Sequence, residues 1–219
     1  MGRREAILAE MGLAPIWRLR KQAEVEVNAA PPPVGVADAW IELKQVVSGC
    51  VKCSLHKTRT QTVFGVGDPS ADWMLIGEAP GAEEDRLGDP FVGQAGRLLD
   101  NMLAAIGLDR QRNVYIANVL KCRPPGNRNP EPEEVAKCSP HLLRQIELVN
   151  PKLIVAMGRF AAQTLLETDA SIASLRGTVH RYAGLPLIVT YHPAYLLRNL
   201  PDKSKAWADL VFARKTIRS

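Results

Sequence analysis

Residues 73–107 read WMLIGEAPGAEEDRLGDPFVGQAGRLLDNMLAAIG. A short apolar run, WMLIG (73–77), passes through a loop rich in glycine and proline into a helical pattern, GRLLDNMLAAIG (96–107). The run is too short for a helix and shows no polar alternation, so it reads as a strand buried on both faces. The same unit recurs downstream. VYIAN (114–118), LIVAMG (153–158) and LPLIVTYH (185–192) have strand character, whereas PEEVAKCSPHLLRQIELV (132–149) and RFAAQTLLE (159–167) have helical spacing. A last helix, KSKAWADLVFARKTI (203–217), closes the chain. Apolar strands alternating with helices predict an α/β fold: a single three-layer domain with a central, mostly parallel four-stranded sheet flanked by helices. Functional residues of such sheets gather beyond the carboxyl ends of the strands. The loops to watch are therefore 77–93, 118–130, 158–160 and 191–198.

Upstream, EAILAEMGLAPIWRLR (5–20) is amphipathic and broken by Pro15, and AAPPPVGVA (29–37) reads as a stiff linker. The expected organisation is a helical extension over 1–28, the linker over 29–37, and one domain over 38–219. A short helix over Asp38–Val47 opens that domain, with Trp40, Leu43, Val46 and Val47 as its apolar stripe. Trp17, Arg18 and Arg20 suit a partner or a DNA arm, or a helix folded back on the core. The 219 residues carry a net charge of +5. That balance is compatible with a polyanionic partner but does not specify one. No apolar run is long enough for a membrane span, and the N-terminus lacks a signal peptide's apolar stretch. A cytoplasmic protein with reduced thiols is expected.

All four cysteines fall into one arrangement: Cys50 and Cys53 as a C-x-x-C pair, then Cys122 and Cys138. Four thiolates from three segments suit a [4Fe–4S] cluster or a tetrahedral zinc, and spacing alone does not choose between them. A closed four-cysteine site has no open coordination position, so its first role is structural.

The loop after the first strand, GEAPGAEEDRLGDPFVGQAGRLLD (77–100), holds two carboxylates, Glu78 and Glu84, and the aromatic Phe91. Its glycines let backbone approach a ligand closely. A loop of this kind suits a nucleotide, a phosphate or merely a tight connection, and it lacks the Gly-Lys-Ser/Thr of a phosphate-binding P-loop.

GEAPG followed by EED and GDPFVGQAGRLL resembles the first motif of the family 4 uracil-DNA glycosylases. ANVLKCRPPGNRNP (117–130) resembles the second region of that family, and HPAYLLRN (192–199) the last. The resemblance runs over roughly residues 38–217 and includes the four cysteines in order and spacing. It implies a [4Fe–4S] cluster on Cys50, Cys53, Cys122 and Cys138, uracil-containing DNA as substrate, and a monomer. It also implies a base-flipping pocket. There Phe91 stacks on the pyrimidine, Asn118 reads its edge, and backbone groups of Glu78, Ala79 and Pro80 approach base and sugar. His192 donates to uracil O2 as charge develops there. Ala79 stands where other uracil glycosylases place an aspartate, which leaves Glu78 and Glu84, and less strongly Asn127, for positioning water or excluding the thymine methyl. Tyr195 and Leu196 are expected to wedge into the gap left by the flipped base. Arg198 and Arg123, with Lys121 and Arg128, would meet phosphates. Two rival readings are a relative that traps the base-free sugar on a histidine and a DNA-binding module without turnover. The interval RPPGNRNPEPEEVAK (123–137) has no histidine, and Phe91, Asn118 and His192 are all present, which disfavours both.

Overall fold

The computed structural model describes residues 34–218; the helical extension expected over 1–28, with Trp17, Arg18 and Arg20, lies outside them. Helix α1 spans Val34–Ser48, four residues longer at its start than the sequence suggests, so residues 34–37 of the expected linker are helical. Leu43 and Val47 of α1 are buried against Phe64, and Trp40 sets its ring edge-on to Phe64 and Tyr115. A loop carrying Cys50 and Cys53 follows.

The sheet has six strands among the described residues: β1 (Val66–Gly67), β2 (Trp73–Gly77), β3 (Val114–Asn118), β4 (Leu153–Met157), β5 (His180–Tyr182) and β6 (Leu185–Thr190). Their order is β1-β3-β2-β4-β6-β5. The four central strands are the expected ones and run parallel. The two additions are antiparallel edges, β1 on β3 and β5 on β6. A four-stranded sheet is thus corrected to six. Strands of two and three residues with partly exposed side chains leave no apolar run to read.

The remaining helices are α2 (Ala82–Leu87), α3 (Gln94–Ala105), α4 (Pro132–Val149), α5 (Arg159–Leu166), α6 (Ile172–Leu175), α7 (Pro193–Arg198) and α8 (Lys203–Thr216). Side chains alternate across a strand, and the core divides accordingly. Met74, Ile76, Ile154 and Ala156 pack under Leu142 and Ile146 of α4 and Ala161 and Leu165 of α5. Trp73, Leu75, Leu153 and Val155 pack under Leu99 and Leu103 of α3 and Leu210 and Ala213 of α8. Three layers result, as expected. Pro132 occupies the first turn of α4, where its missing N–H costs nothing. Asn150 ends that helix in the left-handed conformation. Among the described residues no helix is long and apolar enough to cross a membrane.

Candidate active site

A cleft of about 790 Å³ opens at the carboxyl ends of β2, β3, β4 and β6. The chain leaves β2 toward β3 on one side, then crosses to β4 on the other, and ligands favour the crevice at such a reversal. Glu78, Ala79, Pro80, Phe91, Asn118 and His192, drawn from separate loops, all line it.

Phe91 is 5% exposed and holds a backbone φ of 55°, an uncommon conformation for a residue with a side chain. Its surroundings enforce that geometry. Arg110 donates to the carbonyls of Pro90 (3.4 Å) and Phe91 (2.8 Å) and pairs with Asp100 at 2.7 Å. Gly96 of α3 lies so close to the Phe91 carbonyl that any Cβ there would overlap it. Gly96→Ala is therefore expected to destabilise the protein by about 1–3 kcal/mol, the usual cost of overpacking. In a protein of this size the loss would lower Tm by roughly 2–4 °C per kcal/mol, read by thermal unfolding. An unchanged Tm would show that the Phe91 loop is free to shift.

The two glutamates of this loop differ in their commitments. Glu84 accepts from three backbone N–H groups: Gly81 (3.1 Å), Val92 (3.1 Å) and Gly93 (3.4 Å). Its carboxylate ties the start of α2 to the turn after Phe91, so its oxygens are largely engaged. The Glu78 carboxyl is half-buried, and burial pushes its pKa up while Arg159 pulls the other way. The Glu78 carbonyl already accepts from the Leu120 N–H at 3.0 Å, which fixes this edge of the cleft to the segment after β3.

His192 caps α7. Its Nδ1 accepts from the Ala194 N–H at 3.1 Å. In neutral imidazole an accepting Nδ1 leaves the proton on Nε2, so the tautomer follows from the cap. Burial holds its pKa down at about 4; Arg198 adds to the effect and Glu84 opposes it. At neutral pH the ring is an uncharged Nε2–H donor. Its centroid lies 5.4 Å from that of Phe91, with the planes tilted by 30°. Gly158, at φ 93°, permits this approach, since a Cβ there would come within 2.8 Å of the His192 Cβ.

Asn118 ends β3, 3% exposed, and its buried Oδ1 has no hydrogen-bond partner. Gly77 faces it across the β2–β3 register; a side chain at Gly77 would strike Oδ1 and come within 2.8 Å of the Phe91 ring. An unpartnered buried acceptor is costly, and here it borders a cleft. A ligand donor is the natural partner.

The profile of the uracil DNA glycosylase superfamily matches residues 64–211, the span that contains the sheet and every residue of this cleft. The chain is 48% identical over 164 residues to a type-4 uracil-DNA glycosylase of Archaeoglobus fulgidus, covering 71% of this chain and 82% of that protein. It is 46% identical to those of Sulfurisphaera tokodaii, over 74% of this chain and 77% of that one, and of Thermotoga maritima, over 72% and 85%. The chain belongs to the type-4 uracil-DNA glycosylase family.

Around the cleft of this type-4 chain, several sequence expectations shift. Leu196 is 1% exposed and packs with Tyr191 and Ala206, so it is a core residue of α7 and not a wedge. Leu197, the next residue, is 37% exposed. Tyr195 lines the cleft but is braced, stacked on Tyr191 at 5.1 Å and donating to Asp202 at 2.7 Å. Arg198 stands exposed at the rim. Arg123 donates to Asn127 Oδ1 at 2.7 Å, and Asn127 rather than Arg123 borders the cleft. Arg128 also borders it, but its guanidinium grips the buried Glu134 carboxylate at 2.6 and 2.9 Å. Lys121 is 1% exposed and cannot meet a phosphate. A lysine beside an arginine-rich loop reads as surface charge, and only the tertiary fold shows that it points inward.

The type-4 chain brings its four cysteines to one small void of about 10 Å³, with Arg59, Lys121, Lys137 and His141 around it. Cys122 and Cys138 are buried, and Cys50 and Cys53 are half-buried. Arg59 donates to the Cys122 sulfur at 3.0 Å and the Lys121 N–H to the Cys138 sulfur at 3.3 Å. As bare thiols Cys122 and Cys138 resist ionisation: burial pushes Cys122 up to about 11, against the pull of Arg59, and raises Cys138 too. Cationic neighbours and N–H donors aimed at sulfur suit thiolates bound to metal. Among the described residues no group of three or more Cys, His, Asp or Glu side chains closes on a single metal-ion position. His141 is 4% exposed, with its Nε2 unpartnered.

Proposed function

We propose that this chain is a DNA-repair glycosylase that flips uracil out of DNA and hydrolyses its N-glycosidic bond, leaving an abasic site. The observation that carries the reading is the single cleft shared by an imidazole fixed as an Nε2–H donor, an unpartnered amide oxygen and an aromatic ring. In this reading Phe91 stacks on the flipped base, and Asn118 accepts from N3–H while donating to O4. As the bond to the sugar lengthens, charge accumulates on uracil O2, and His192 meets it with a donor already in place. Water supplies the hydroxyl to the sugar carbon and a proton to the departing base. With Ala79 lacking a carboxylate, Glu78 is the side chain to orient that water, because Glu84 is engaged with backbone. Phosphates of the DNA help balance the sugar cation. Arg198 supplies charge at the rim, and exposed Leu197 takes the wedge position that Leu196 cannot.

Cys50, Cys53, Cys122 and Cys138 hold a [4Fe–4S] cluster in this reading. Bound there, the cluster would supply a rigid crosslink among the loop after α1, the segment after β3 and α4. The enzyme acts as a monomer in the cytoplasm, where thiols stay reduced.

Purified without oxygen, the protein is expected to be brown, to contain about four irons per chain, and to release uracil from single-stranded uracil-containing DNA. Colourless protein with stoichiometric zinc would overturn the cluster assignment. Iron-loaded protein that binds such DNA without releasing uracil would overturn the enzymatic one.

A further inference from the structure

The cysteine site and the cleft meet at one residue. Lys121 is among the largest fully buried side chains, 1% exposed. Its N–H donates to the Cys138 sulfur at 3.3 Å and the next residue in the chain is Cys122. Its Nζ turns back to donate to the Asn118 carbonyl at 2.8 Å. Between the two, the N–H groups of Val119 and Leu120 donate at 3.0 Å to the carbonyls of Gly77 and Glu78. The segment 118–122 therefore runs from cleft to cysteines without slack. Ala79, on the cleft wall, packs against the same apolar group as Cys122 and Cys138.

Lysines almost always keep their amine in water. An apolar side chain of the same length would fill this space without burying a polar head. What the amine does here is hold the last carbonyl of β3, whose side chain borders the cleft. The Asn118 amide oxygen has no partner of its own and is confined by Gly77 and Phe91. Its aim is inherited from the backbone that Lys121 grips.

We propose that Lys121 is a positioning residue for base recognition, transmitting the geometry of the four-cysteine site to the Asn118 amide. The cluster then tunes which base the cleft accepts, in addition to stabilising the fold. This inference rests on reading the cleft as a uracil site and the cysteines as cluster ligands.

A lysine that merely satisfied a buried carbonyl would, on removal, lower Tm and weaken all DNA binding alike. The discriminating readout is base preference without chemistry. Affinity is measured for DNA carrying 2′-fluoro-2′-deoxyuridine, whose fluorine disfavours the sugar cation and blocks cleavage, and for the same DNA carrying thymidine. Iron content and visible absorption are recorded for every variant. Lys121→Met is expected to keep its iron and to lose about tenfold in the uracil-to-thymine affinity ratio, a coupling usual within one hydrogen-bond network. Lys121→Gln, which retains a donor, should recover part of it. In an Asn118→Ala background, Lys121→Met should change the ratio no further. An unchanged ratio in Lys121→Met, or an equal loss with and without Asn118, would overturn the proposal. So would loss of iron in both lysine variants, which would assign the residue to the cysteine site alone. Failure of the parent protein to prefer the fluorinated uracil would instead defeat the reading of the cleft.

Discussion

Replacing His192 by alanine is expected to slow uracil excision by about 10²–10³ while leaving DNA affinity nearly intact. The size follows from what one preorganised donor contributes where charge develops, roughly 3–4 kcal/mol at the transition state. The direction follows from the cap. Because Nδ1 accepts from the Ala194 N–H, the Nε2 proton needs no reorganisation when the base departs. Binding depends mainly on phosphate contacts, and exposed Arg198 is untouched. His192→Gln keeps a donor and should recover part of the rate. Single-turnover excision with saturating enzyme, paired with equilibrium binding of the same DNA, separates the two quantities. A steady rate with collapsed affinity would make His192 a docking residue instead.

The same histidine sets an acid limit. Its folded pKa, about 4, lies below the ordinary value of 6.5. The unfolded chain therefore binds a proton through that window that the native state refuses. The stability tied to the neutral ring is present above the ordinary value and is lost as pH falls through about 4. Excision should accordingly be indifferent to His192 titration near neutrality. It should fail toward pH 4, where a proton on Nδ1 displaces the Ala194 bond.

How much of this was legible beforehand depends on whether a residue's role is local. The four central strands are near-continuous apolar runs, and burial on both faces writes itself into such runs. The edge strands are short and half-exposed, so nothing in their composition distinguishes them from loop. Leu196 and Leu197 are adjacent on one short helix, and which of them turns inward depends on Ala206 and Tyr191, residues of other segments. Lys121 illustrates the limit most clearly. In the sequence it is a basic residue beside Cys122, and its role exists only because α4 and β3 enclose it. The clamp of Arg110 on Phe91 spans 19 residues and leaves no sequence trace. By contrast, Asn118 and His192 each end a predicted strand and Phe91 lies in the long loop that follows another, and parallel topology alone gathers such loops at one edge of the sheet.

Asn118→Asp is expected to abolish most uracil excision, on the order of 10⁴-fold, because a site built to hydrogen-bond one edge rejects a mismatch by that order. Uracil presents an acceptor at O4 and a donor at N3. The native amide answers both, and its Oδ1 stands without a protein partner in a residue that is 3% exposed. Aspartate removes the N–H that faces O4 and sets two acceptors against each other. Its carboxylate can instead accept from the N4 amino group of cytosine, and in its protonated form, which burial favours, it can donate to cytosine N3. Some cytosine excision should therefore appear as uracil excision disappears, measured as base release from paired DNAs that differ only at the target nucleotide. Gly77 leaves no space for the side chain to turn away, since its Cα hydrogens already border the amide and the Phe91 ring. The new carboxyl must face whatever base enters. Uracil release near the parent rate would remove Asn118 from base reading, and with it the link that Lys121 is inferred to make.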